Sequence, residues 1–63
     1  MRKKLKTIRV EKGLTQEELA SKVGISRAHC TKIEIGMSNP SLAVAMKLKQ
    51  VLEYRNDDLF TVS

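Results

Sequence analysis

Apolar residues recur along the chain at intervals of three and four rather than two, the spacing of one helix face and not of a half-buried strand. Leu5, Ile8 and Val10 form such a stripe on a first helix expected over about residues 2–12, and Gly13 is placed to end it in a left-handed turn. Thr15-Gln16-Glu17-Glu18 then has the form of a capping box, in which the Thr15 hydroxyl accepts from the Glu18 amide and the Glu18 carboxylate reaches back to Thr15. A second helix starts there, carries Leu19, Ala20 and Val23 on one face, and stops at Gly24, after which Ile25 turns back onto the core. Ser26 caps a third helix, which Gly36 ends. Ser38-Asn39-Pro40 makes a turn, and Ser41 caps a fourth helix on which Leu42, Ala45, Leu48, Val51 and Leu52 keep the helical spacing. Asn56 is placed to cap a last short turn that carries Leu59 and Phe60. No segment alternates, so the expected fold class is all-α.

The 63 residues make one domain spanning 1–63, because a chain this short buries only about 60% of the surface its unfolded form exposes and has no room for two cores. Tyr54 and Phe60 are the aromatic residues and Trp is absent, so the interior is aliphatic. Cys30 is the single cysteine, which excludes an internal disulfide and a four-cysteine zinc site. Helix packing alone must hold the fold, with about 3–5 kcal/mol to spare. The longest apolar run, Leu42 to Met46, is far short of the roughly 20 residues that span a bilayer. The basic start at Met1–Lys4 is not followed by an apolar signal core. A cytoplasmic protein is the expectation, with no membrane association.

Twelve Lys and Arg against seven Asp and Glu give a net charge of +5, which points to a polyanionic partner. The excess is local: residues 1–32 carry a net +6 and residues 33–63 a net −1. The same basic half contains most of a helix-turn-helix pattern over about 16–35, two short helices joined by a tight turn with a glycine. Ala20 is small where the two helices must cross closely, and Gly24 supplies a positive φ. On an ideal helix, Cys30 and Ile33 point inward while Arg27, Ala28, Thr31 and Lys32 point outward, with no apolar stripe on that outer face. A helical hairpin with no nucleic-acid role is the bland alternative, and the polar-to-basic outer face beside the basic half argues against it. For the run Arg2-Lys3-Lys4-Lys6, a solvated face and direct phosphate contact stay open. His29 and Cys30 lie about 100° apart on a helix and lack a third ligand at coordination spacing, so Cys30 reads as a small core residue rather than a metal ligand.

Gly13-Leu14-Thr15-Gln16-Glu17-Glu18-Leu19-Ala20, Val23-Gly24-Ile25-Ser26-Arg27, Ile33-Glu34, Gly36, Asn39-Pro40-Ser41-Leu42 and Asp57-Asp58-Leu59-Phe60 resemble the Cro and phage-repressor family of helix-turn-helix regulators, often called Xre-like. The resemblance covers nearly the whole chain. It implies a compact five-helix, lambda-repressor-like domain whose third helix lies in the major groove of double-stranded DNA. It also implies a regulator, expected to be a repressor, that binds a palindromic operator as a homodimer in the cytoplasm of a bacterial or phage-infected bacterial cell. By the same resemblance, DNA contacts fall to Gln16, Ser26, Arg27, Ala28, Thr31 and Lys32, with His29 at the edge of that surface near a phosphate. Arg9 and Glu34 are expected as a partly buried ion pair, and Tyr54, Asn56 and Leu59 as the pairing surface, with Phe60 in the core. Ile35 and Met37 are candidates for exposure, as an apolar patch beside the DNA face or as a subunit contact. An antitoxin-type, protein-binding module that also binds DNA is the alternative; against it, nearly every residue is used by the DNA-binding domain itself, which leaves only Thr61-Val62-Ser63 spare to wrap a partner. Paired carboxylates, a phosphate loop and a nucleophile with its base are all missing from the pattern, so no catalysis, cofactor or small-molecule ligand is expected.

Overall fold

The computed structural model describes residues 1–61. Among them, α1 (Lys3–Glu11), α2 (Gln16–Val23), α3 (Arg27–Ile35) and α4 (Leu42–Leu52) are followed by one 3-10 turn at Asp57–Phe60, and there is no strand. The expected fifth helix is therefore corrected to a single turn. Four residues are too few to close a run of four-residue hydrogen bonds, and the Asn56 side chain makes no cap hydrogen bond, so nothing at its start favours a longer helix. Val62 and Ser63, the end of the tail left spare for a partner in the sequence reading, lie outside the described residues.

Serine and threonine set the helix starts as expected from their positions. Thr15 Oγ1 accepts from the Glu18 amide at 3.0 Å and the Thr15 amide donates to Glu18 Oε1 at 2.9 Å, completing the capping box. Ser26 and Ser41 accept from the amides of His29 and Val44. Gly24 and Gly36 end α2 and α3 at φ +88°, where a Cβ is resisted. α4 instead ends on Glu53, the one non-glycine residue at positive φ among the described residues, at φ +54°.

The core is aliphatic: Leu5, Leu19, Ala20, Cys30, Ile33, Leu48, Leu52 and Leu59 are buried, with Ile8, Val23, Ile25, Val51 and Phe60 packed against them. α2 packs on α3 and α4, and α1 on α3 and the final 3-10 turn. Two residues assigned to apolar stripes lie outside this core. Val10 is 56% exposed, because a residue five beyond Leu5 is turned about 140° from it on a helix. Leu42 is 78% exposed: helical side chains lean back over the preceding turn, and the first residue of α4 has no such turn beneath it. Ile35 and Met37 are exposed as well.

The largest departure from the sequence reading is Arg2. It does not join Lys3, Lys4 and Lys6 on a solvated face but is buried, at 2% exposure. Its guanidinium donates from Nη1 to the carbonyls of Ile33 (2.6 Å) and Ser38 (2.9 Å), from Nη2 to Asn39 Oδ1 (2.7 Å) and from Nε to the Phe60 carbonyl (3.1 Å). Its backbone amide adds a bond to the Glu34 carbonyl at 2.8 Å. Arg9, seven residues later and also buried, donates from Nε and Nη2 to the two Glu34 carboxylate oxygens, each at 3.1 Å, and from Nη1 to the Leu14 carbonyl at 2.7 Å. A cation near the end of a helix also complements its dipole. The last turn of α3 is thus held by both arginines.

Two outcomes follow for stability. Arg2→Met takes the guanidinium donors from the Ser38 and Phe60 carbonyls and the Asn39 amide oxygen and is expected to cost about 2–4 kcal/mol in urea unfolding, against less than about 0.5 kcal/mol for Lys3→Met; equal effects would put Arg2 in solvent. Glu53→Gly relieves a left-handed side chain and gives up only an exposed ion pair with Lys12 at 3.7 Å. A gain of up to about 1 kcal/mol is expected in the same assay, and a loss would show that Glu53 makes a stabilising contact stronger than its strain.

Candidate nucleic-acid interface

The capping box and Ser26 fix where α2 and α3 begin, and Gly24 fixes the corner between them. The amides of Gly24 and Ile25 both donate to the Ala20 carbonyl, at 2.8 and 3.0 Å, so the corner is closed without a side chain. Leu19, Ala20, Cys30 and Ile33 fill the angle, all at 2% exposure or less. Arg9 ties this pair of helices to the rest of the domain. One side of its guanidinium holds Glu34 at the end of α3, and the other holds Leu14, the residue before the α2 cap. Both helices of the motif are therefore referenced to one buried side chain.

The inner face of α3 is committed to packing, and its outer face is largely exposed. Arg27, Ala28 and Lys32 are exposed, His29 and Thr31 are half-buried, and Ser26 is exposed at the cap. Gln16 opens α2, half-buried, and its Oε1 accepts from the Thr31 hydroxyl at 2.9 Å. These seven residues occupy one side of the motif, on α3, its cap and the first residue of α2. An open cleft beside them is lined by Arg9, Val10, Gly13, Leu14, Thr15, Gln16, Glu17 and Arg27. Lys3, Lys4 and Lys6 of α1 stay exposed, and Lys4 Nζ sits 5.6 Å from the centre of the Tyr54 ring.

Residues expected at a pairing surface lie apart from this face and fare differently from one another. Tyr54 is half-buried and its hydroxyl donates to Asp58 Oδ1 at 2.5 Å, while Asn56 is exposed. Leu59 is fully buried, so it has no surface to give to a second copy, and its place there is corrected. The 3-10 turn packs against α1 and carries Leu59 into the core. The residue that sequence reasoning missed is Arg2. Its signal was the spacing: Arg2, the residue that precedes α1, stands three residues before the buried Leu5 and seven before Arg9, in line with the buried stripe of that helix.

Among the described residues, Glu18 and Cys30 have shifted titration. The Thr15 amide, and after it the Thr15 hydroxyl, hold the Glu18 carboxyl below its usual range; this cap supports folding above the ordinary carboxylate pKa and fades as pH falls through the lowered value. Burial, and then the neighbouring Glu34 carboxylate, push the Cys30 thiol up. Cys30 therefore stays a neutral thiol, and its burial favours folding below the ordinary thiol pKa, a contribution lost as pH rises through the raised value. Among the described residues, no three His, Cys, Asp or Glu side chains gather around one point, and no helix is long and apolar enough to cross a membrane.

Comparison with known proteins gives a consistent answer. A family model described as helix-turn-helix matches residues 5–59. A protein of Archaeoglobus fulgidus described as an uncharacterized HTH-type transcriptional regulator is 45% identical over 60 residues, covering 95% of this chain and 86% of that protein. A Bacillus subtilis protein of the same description is 48% identical over 54 residues, covering 86% of this chain and 71% of that protein. A third, from Methanocaldococcus jannaschii, is 42% identical over 60 residues, covering 95% and 91% of the two chains. No solved structure matches significantly.

The state of Cys30 is open to direct measurement. A thiol reagent such as Ellman's reagent is expected to react negligibly at neutral pH in buffer, and to react along the unfolding transition in urea, because the reactive thiolate forms only when α3 leaves the core. Rapid labelling of folded protein would mean that α3 opens locally.

Proposed function

The chain belongs to the helix-turn-helix family, of the Cro and phage-repressor type, and on that premise we propose that it represses transcription by binding a palindromic operator as a homodimer, with α3 in the major groove. The observation that carries this reading is the outer face of α3. Arg27, Ala28 and Lys32 are exposed there beside the half-buried Thr31, while the opposite side of the same helix is packed and clamped. Arg27 and Lys32 bring donors suited to guanine O6 and N7. Gln16, Ser26 and His29 stand around that row where backbone phosphates pass a helix start. Lys3, Lys4 and Lys6, exposed on α1, add to the field that draws the domain to DNA.

One copy offers a handful of base contacts, too few to discriminate an operator against a genome of competing sites. Two copies related by a twofold axis place their α3 helices about 34 Å apart, in successive major grooves on one side of the duplex. The contact between copies falls on the link after α4, where Asn56 is exposed and Tyr54 half-exposed. Such a contact is small, so pairing occurs chiefly on the operator. Repression follows from occupancy of the site.

Selection from a randomised duplex pool followed by footprinting tests this. A twofold-symmetric footprint is expected, with log affinity falling against log salt by about 0.9 for each phosphate neutralised. Arg27→Ala is expected to cost about 1–3 kcal/mol on the selected operator and little on random duplex. Binding without sequence preference, or a complex insensitive to salt, would overturn the reading.

A further inference from the structure

Two residues of the interface are bonded to each other, and that bond limits what each has left to offer. The Thr31 hydroxyl donates to Gln16 Oε1 at 2.9 Å, joining α3 to the first residue of α2. A hydroxyl carries one proton, so Thr31 has none to give to a base acceptor. Because the side chain is branched at Cβ, holding the hydroxyl also holds the methyl group. Gln16, with its carbonyl oxygen engaged, offers the donors of its NH2 group. Ala28 stands three residues before Thr31 and is exposed, which puts a second methyl on the same stretch of helix. Arg27 and Lys32, both exposed on either side, carry donors and no acceptor.

The centre of the α3 face is therefore a pair of methyl groups set among hydrogen-bond donors. Among the bases, thymine fits this pattern, since in the major groove it presents a C5 methyl beside the O4 acceptor. Cytosine presents an amine and no methyl, so it would leave the methyl pair without an apolar contact and turn a donor toward the donors of Arg27, Lys32 and Gln16. Adenine also turns an amine outward, and guanine supplies acceptors but nothing apolar for the methyl pair. Resting on the DNA-binding reading above, we infer that Thr31, with Ala28 beside it, is the residue that selects thymine over cytosine at one position of each operator half-site, through the C5 methyl.

The test uses the full chain and an operator selected from a randomised pool, with each thymine replaced in turn by deoxyuridine, which lacks only the methyl. Wild-type protein is expected to lose about fourfold in affinity at one thymine per half-site, the worth of one buried methyl group. Replacing that thymine by cytosine is expected to cost more. Thr31→Ser keeps the hydroxyl bond to Gln16 and removes the methyl, leaving only that of Ala28, so it should discriminate thymine from deoxyuridine at that position clearly less than the wild type does, with its helical circular dichroism unchanged. Thr31→Val keeps a methyl and should retain the preference. The inference is overturned, with DNA binding intact, if the wild type ignores deoxyuridine at every thymine of a specific operator, or if Thr31→Ser discriminates as the wild type does. If no operator is selected at all, the DNA-binding reading falls and this inference with it.

Discussion

The last turn of α3 is held by two buried arginines from the start of the chain, and the rest of the domain is arranged around that clamp. Burying a guanidinium is costly unless its donors are met, and here they are met by groups from distant parts of the sequence. Arg2 collects Ile33, Ser38, Asn39 and Phe60, and Arg9 collects Glu34 and Leu14. Satisfying both side chains at once sets the end of α3, the turn into α4, the entry to α2 and the final 3-10 turn relative to α1. Because Arg2 faces uncharged acceptors while Arg9 faces a carboxylate, the two contribute differently: one closes a set of carbonyls, the other neutralises Glu34.

This matters more here than in a larger protein. The aliphatic core supplies stability without direction, since apolar contacts tolerate repacking. Directional bonds to Arg2 and Arg9 are what give α3 one orientation. On the proposed function, α3 must hold its side chains within a fraction of an ångström of a base edge, and the clamp acts at the last turn of that helix through Ile33 and Glu34, which are buried. The Gln16–Thr31 bond does the same work at the outer face, where it joins the two helices of the motif.

Charge is divided along the same lines. Of the basic residues near the start of the chain, Arg2 and Arg9 are internal and structural, while Lys3, Lys4 and Lys6 remain at the surface. The division follows chemistry: a planar guanidinium with five donors can satisfy several carbonyls at once, whereas an ammonium is a strongly hydrated point charge. Arg9 is offset by Glu34 inside the domain, so among the described residues Arg2 is the one unpaired positive charge that the interior withholds from the surface field.

How much of this was legible in the sequence depends on the reach of each interaction. The starts of α2, α3 and α4 followed from Thr15, Ser26 and Ser41, and the ends of α2 and α3 from Gly24 and Gly36, because a cap closes within three residues and a left-handed turn within one. The inward and outward faces of α3 followed from helical spacing for the same reason. The exposure of Leu42 and Val10, the burial of Leu59, the missing cap at Asn56 and above all the burial of Arg2 did not follow. Each depends on what an element meets after folding: the Arg2 bonds span 31 to 58 residues. Local hydrogen bonds and periodicity determined which segments are helices and which face α3 presents. Only the tertiary structure decided which cations stay in water, since that depends on where distant carbonyls come to rest.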